Sequence, residues 1–243
     1  MTEAEWLFNE DPAPMARFLR GRTSDRKLRL LACACCRTVW PSIPAVFQEA
    51  IRVAEEHAEG CATDVELGRA VSAAHRARRK GNALERTVYD AARCGGFDPA
   101  AVAKGIASVV AYTAAPHPSP VARVTIVGGQ PVWEEIPPNA DRLRWKASCV
   151  SHLLLESSLL RDIIGPLIFR PVDVQAGVLT WNDSAVVKLA QGIYREGAFD
   201  RLPILADTLE EAGCNDVDIL GHCRQQRLHV RGCWVVGLLL GKE

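Results

Sequence analysis

The chain has 243 residues, 48% hydrophobic and 24% charged, which is enough for one large domain or two small ones with a proper core. Basic and acidic residues balance at 29 each. The positive excess that drives phosphate neutralisation is therefore missing, and nucleic acid is not the expected partner. The opening stretch, MTEAEWLFNEDPAPM, is acidic and has no apolar signal core. No apolar run reaches the roughly 18–20 residues of a bilayer span, so the expected setting is cytoplasmic with no membrane partner.

The pattern is helical from the start. Asp11 can cap a helix with Pro12 at its first position, running to Arg20 before Gly21. Ser24 or Asp25 starts the next helix. Along DRKLRLLACACCRTVW, the residues Leu28, Leu31, Cys35 and Val39 fall on one face, widened by Leu30 and Ala34, and Pro41 stops the run. A third helix is expected from Pro44 to Glu59, with Val46, Phe47, Ala50, Ile51 and Ala54 inward and Gly60 closing it. Thr63 and Glu66 have capping-box spacing for a fourth, which ends in the basic run HRARRK. Residues 82–93 and 99–114 read as further helices.

The pattern breaks across a Pro-rich segment at 116–138. There β-branched residues flank GGQP, so a small β-hairpin is expected near residues 121–136. Helix resumes at 141–164. An extended connection, GPLIFRPVDVQAGVLTW, follows, because Pro166 and Pro171 bar a helix there. Short helices are expected at 183–195 (capped by Asn182 or Asp183), 200–212 (ended by Gly213), 215–223 and 229–240. The expected fold is thus mainly α, a multi-helix globular bundle. It is read as a single domain over 1–243, with candidate lobes 1–115 and 139–243 joined by the Pro-rich segment.

Nine cysteines without an export signal argue against a disulfide framework. Two clusters invite a metal reading. His222, Cys223, His229 and Cys233 lie within twelve positions, and two ligands from each side of a turn could make a Cys₂His₂ zinc site. His222 and Cys223 are adjacent, however, and neighbours on a helix diverge by about 100°. A site completed from elsewhere is easier to build, with Cys33 and Cys36 of the CACC run as candidate additional ligands. That run lies mid-helix, without the activation a helix N-terminus supplies, so core packing is its simpler reading. Cys149 and His152 stand three apart without an orienting acid, and no catalytic residue is assigned. Asp207 and Glu211 read as a wet helix face.

The segments EAEWL, DPAPMARFLRG, SDRKLRLLACACCRTVW, LLRDIIGPLIFRPV, LAQGIYREGAFDRLPILADTLEEAGC and HVRGCWVVGLLLG resemble a family found in many paralogous copies in planctomycete bacteria. The likeness covers residues 1–60 and 153–243. The family pattern has GNPFRP where this chain reads GPLIFRP, and an acidic residue where it has Gly237. Its middle is Ala-rich and helical, unlike the Pro-rich segment here. LADTLEEAGC is also similar to a short helical module that accompanies repeats in the same bacteria. The resemblance brings no activity with it. Fixed ends and a variable centre imply a scaffold or recognition module. The expected function is a non-catalytic protein-interaction or regulatory module whose partner is another protein. The alternatives are a structural zinc protein and an enzyme with an unrecognised site.

Overall fold

The structure, a computed structural model, describes residues 1–19, 21–79, 82–93, 124–127, 130–133 and 153–242. The helix expected at 99–114, the start of the 141–164 helix and the Cys149/His152 pair lie outside these residues.

Helix α1 (Glu3–Phe8) was not expected, although its signal is in the sequence. Thr2 accepts from the Glu5 amide, while the Glu5 carboxylate accepts from the Thr2 amide, a reciprocal capping box. The box fixes a single short turn that buries Trp6. Helix α2 (Pro12–Phe18) is capped by Asp11 as expected and stops short of Arg20. Helix α3 (Asp25–Arg37) is capped by Ser24. Its whole stretch from Leu30 to Cys36 is buried rather than one stripe, because α4 (Ala45–Ala58), α6 (Ala83–Arg93) and neighbouring chain enclose it. Cys33, Cys35 and Cys36 are interior filling, and burial raises the Cys35 thiol well above its ordinary range. Phe47, Ala50, Ile51 and Ala54 of α4 face inward as the spacing predicts. Helix α5 (Asp64–Ala77) opens on the Thr63–Glu66 capping box and packs on α4. The basic run beyond it makes local ties: Arg79 to Glu85, and Arg78 over the Tyr89 ring.

The hairpin forms within the expected span. Strand β1 (Val124–Val127) pairs antiparallel with β2 (Gln130–Trp133), Val124 opposite Trp133 and Val127 opposite Gln130. Helix α7 covers residues 153–164, α8 is Ala176–Glu196, α9 Leu202–Glu211, α10 Val217–Arg224 and α11 Trp234–Leu239.

Two of these elements differ from expectation. The α8 span begins at Ala176, ahead of the expected cap, and its backbone leaves the right-handed region at Trp181–Ser184. Asn182, Asp183 and Ser184 there have φ of 45°, 56° and 59°. Left-handed backbone costs about 1–2 kcal/mol per residue, least for Asn and Asp, which supply two of the three positions. The last helix starts at Trp234 rather than 229, because Gly232 takes φ +100° and turns the chain just before it. Residues 225–233 therefore form an irregular strap.

Two apolar cores result. The first joins α1–α6 to Leu159, Leu160, Ile163 and Ile164 of α7. The second runs from Val172 to Leu239 and centres on α8–α11. The change of core falls between Ile164 and Val172.

One group in the first core is anomalous. Glu156 of α7 is 1% exposed, and neither carboxyl oxygen has a partner among the described residues. Burial, reinforced by the charge of Asp11, pushes its carboxyl up from 4.5 to about 9. A group raised on folding gives its full stability below the unfolded pKa, and that stability drains as pH climbs towards the folded one. Glu156→Gln is expected to leave stability near pH 4 little changed and to raise it at pH 8. Between those limits it removes a slope of about 1.4 kcal/mol per pH unit. Denaturant melts across pH 4–9 measure this; parallel curves for the two proteins count against a buried neutral acid.

Candidate metal centre

Asp162 stands on the side of α7 turned away from the first core. Helix α10 is set by Asp216, whose carboxylate accepts from the Asp218 and Ile219 amides, and it carries His222 in its last turn. The strap then brings His229 and Cys233 back towards both. Gly232 makes this return feasible: a Cβ there would lie 3.1 Å from Leu30, so the strap rests directly on α3. Cys233 occupies the N-cap position of α11.

The result is a buried group of four donor atoms, one each from Asp162, His222, His229 and Cys233, all within 4.8 Å of one another. His229 Nδ1 is 2.5 Å from Asp162 Oδ1, and His222 Nε2 is 3.2 Å from the same oxygen and 3.1 Å from Cys233 Sγ. Zinc with bonds of about 2.0–2.3 Å in a tetrahedron separates its donors by about 3.3–3.8 Å, so the two His222 contacts must open by a few tenths of an ångström and the His229–Asp162 contact by nearly 1 Å to admit it.

The outer atoms of the same residues decide how well a metal fits. Asp162 Oδ2 accepts the Val230 amide at 2.9 Å, which orients the carboxylate. His229 Nε2 lies 3.2 Å from the Gln225 carbonyl, so that nitrogen donates, the usual pattern of a metal-bound histidine, and Nδ1 ligates only in exchange for its contact with Asp162. Cys233, at the N-cap of α11, makes no side-chain capping bond, and its sulfur faces His222 Nε2. His222 is the exception. Its Nδ1 accepts from the Trp234 indole N–H at 2.8 Å and lies 2.6 Å from the Arg227 guanidinium, and both of those groups only donate.

Burial pushes the Asp162 carboxyl up, but hydrogen bonds from His222 and His229 outweigh it and hold the group below its usual range. Burial lowers His222 to about 4 against the pull of Asp162, so its ring is neutral. The Cys233 thiol rises well above 9.0 through burial and the Asp162 charge, with the Val235 and Val236 amides acting the other way. Asp162 and His222 both titrate lower than in the unfolded chain. The His222 contribution is therefore full above about pH 6.5 and is lost as pH falls through 4, while that of Asp162 is full above 3.8 and is lost only at lower pH.

Three of the four expected ligands, His222, His229 and Cys233, come together here; Asp162 joins them where Cys223 was expected. Cys223 points into the second core, the divergence that adjacent positions on a helix impose, and burial with the Asp162 charge pushes its thiol up to about 12. Cys33 and Cys36 sit in the first core and are not in the group. Asp162 was missed, though LLRDIIGP carried a signal: an acid set in an otherwise apolar helical run. His229 and Cys233 meet across a turn, not on one helix as their spacing implied.

Compared with known proteins, the chain matches no protein-family model, no curated protein and no solved structure.

The group is braced from behind by Trp234, whose ring packs edge-on to His222 and lies against Gly165. A Cβ on Gly165 would fall 2.4 Å from Trp234 Cγ, and the residue has φ +62°. Gly165→Ala is expected to lose about 2–5 kcal/mol, from left-handed strain together with overpacking. It also shifts the tryptophan emission as the indole leaves His222. A thermal melt and a fluorescence spectrum check this; an unchanged midpoint counts against so tight a contact.

Proposed function

We propose that the protein is a structural metalloprotein that holds one zinc ion on Asp162, His222, His229 and Cys233. The observation that carries this reading is the convergence of four buried donor atoms from three separated stretches of chain within 4.8 Å. Thiolate, two imidazoles and a carboxylate form a donor set that suits zinc, and two negative ligands neutralise its charge. Four protein donors leave no open position, which distinguishes a structural from a catalytic centre. The chain is then a non-catalytic scaffold, in line with the interaction or regulatory module expected from the sequence. No helix among the described residues is long and apolar enough to cross a membrane. We infer a cytoplasmic setting from seven described cysteines that are all free thiols.

A second reading is favoured by His222 Nδ1, which faces two donors. In it the group is a metal-free network, with the His222 Nε2–H donating to Asp162 and Cys233 and Arg227 balancing the charge. Magnitude favours the metal. Structural zinc contributes about 10–16 kcal/mol in small domains. Losing the indole and guanidinium bonds to Nδ1 and leaving those donors unpaired costs about 1–3 kcal/mol each.

Elemental analysis of the purified chain is expected to give close to one zinc per molecule. Cobalt exchange is expected to add a near-ultraviolet thiolate-to-metal band. Cys233→Ser abolishes that band, while Cys223→Ser keeps it. Folded protein without metal, and with a melting point indifferent to chelator and to added zinc, selects the metal-free network.

A further inference from the structure

We propose, resting on the zinc reading, that the ion is the joint between the two cores: loading holds the second core on α7, and removal lets it undock while each core stays folded. The division of donors points this way. Asp162 belongs to a helix of the first core, whereas His222 and Cys233 belong to elements of the second, and His229 to the strap. The strap itself lies across the seam. Val230 packs against the first core and donates its amide to Asp162, and Gly232 presses on Leu30 and Ile163.

The remaining ties across the seam are of two kinds. At one edge, the buried side chain of Glu59, the C-cap of α4, gathers Arg26, Tyr194 and Lys242, and Arg26 donates to the Lys242 carbonyl at 2.8 Å. This anchor fastens α8 and the last residues, at a distance from the strap along the chain. Elsewhere Arg170 bridges Glu3 and Asp218, but all three are more than a third exposed, where ion pairs contribute little. Around the strap, among the described residues, Val230, the close approaches at Gly165 and Gly232, and the Asp162 group connect the cores.

Linkage sets the size of the effect. Free zinc at about 100 times its Kd protects, by about 100-fold, any amide that exchanges only through undocking. Hydrogen exchange by mass spectrometry on the full chain, zinc-loaded and chelated, reads it out. Chelation is expected to speed exchange about 100-fold in the strap and the first turn of α11. Exchange inside α4 and α9 is expected to stay as it was. Asp162→Asn, which leaves three ligands in the second core and the strap, is expected to retain weaker zinc binding while its strap exchanges fast with or without the ion.

Faster exchange throughout both cores on chelation overturns the joint, because the metal would then be folding the whole chain. So does unchanged exchange in protein shown to hold zinc, and so does a slow-exchanging strap in zinc-loaded Asp162→Asn. Those three results leave the structural centre intact. Protein that holds no zinc at all removes the centre and the joint together.

Discussion

A carboxylate with no exposure to water is the constraint around which the rest of this molecule is arranged. Asp162 projects from a helix whose other faces hold leucine and isoleucine, so its charge must be compensated within a few ångströms. The compensation comes from two imidazoles and one backbone amide, all drawn from residues 222–230. Removing one partner of a buried ionic group commonly costs about 3–5 kcal/mol. The strap, the turn at Gly232 and the direction of α10 can be understood as the backbone geometry that delivers those partners.

Tight approach of the two cores is the second condition. Trp234 lies against Gly165 and the strap against Leu30, and in both places the absence of a side chain lets backbone and ring meet. These glycines have positive φ as well, so the same residue type satisfies the turn and the contact. A bulky aromatic ring and a bare backbone are thus paired across the seam, where Trp234 also donates to His222.

Much of this was legible in the sequence because it depends on local chemistry. The caps at Asp11, Ser24 and Thr63 and the apolar spacing of α4 are short-range signals, and the hairpin followed from β-branched residues around a Gly-rich turn. The convergence of His222, His229 and Cys233 was legible as a cluster, though not in its geometry. Spacing of four implies one helix face, and nothing in the spacing announces that Gly232 turns the chain. Asp162 was hidden for a different reason. It is sixty residues from its nearest partner in sequence, His222, and only the tertiary packing of α7 reveals which way it points. The left-handed run at Asn182–Ser184 was equally opaque, since Asn and Asp in that position also look like an ordinary helix cap.

The first core is not continuous in sequence, and that shapes how the chain emerges from the ribosome. Helices α1–α6 are complete by Arg93, yet Leu159, Leu160, Ile163 and Ile164, which complete their interior, follow only after residues 94–152 have been made. Loop closure over such a span adds only a logarithmic entropy cost, so the finished fold tolerates the interruption well. Kinetics are less forgiving: until α7 arrives, the nascent N-terminal helices carry an uncovered greasy surface, the kind of species that invites aggregation and chaperone capture.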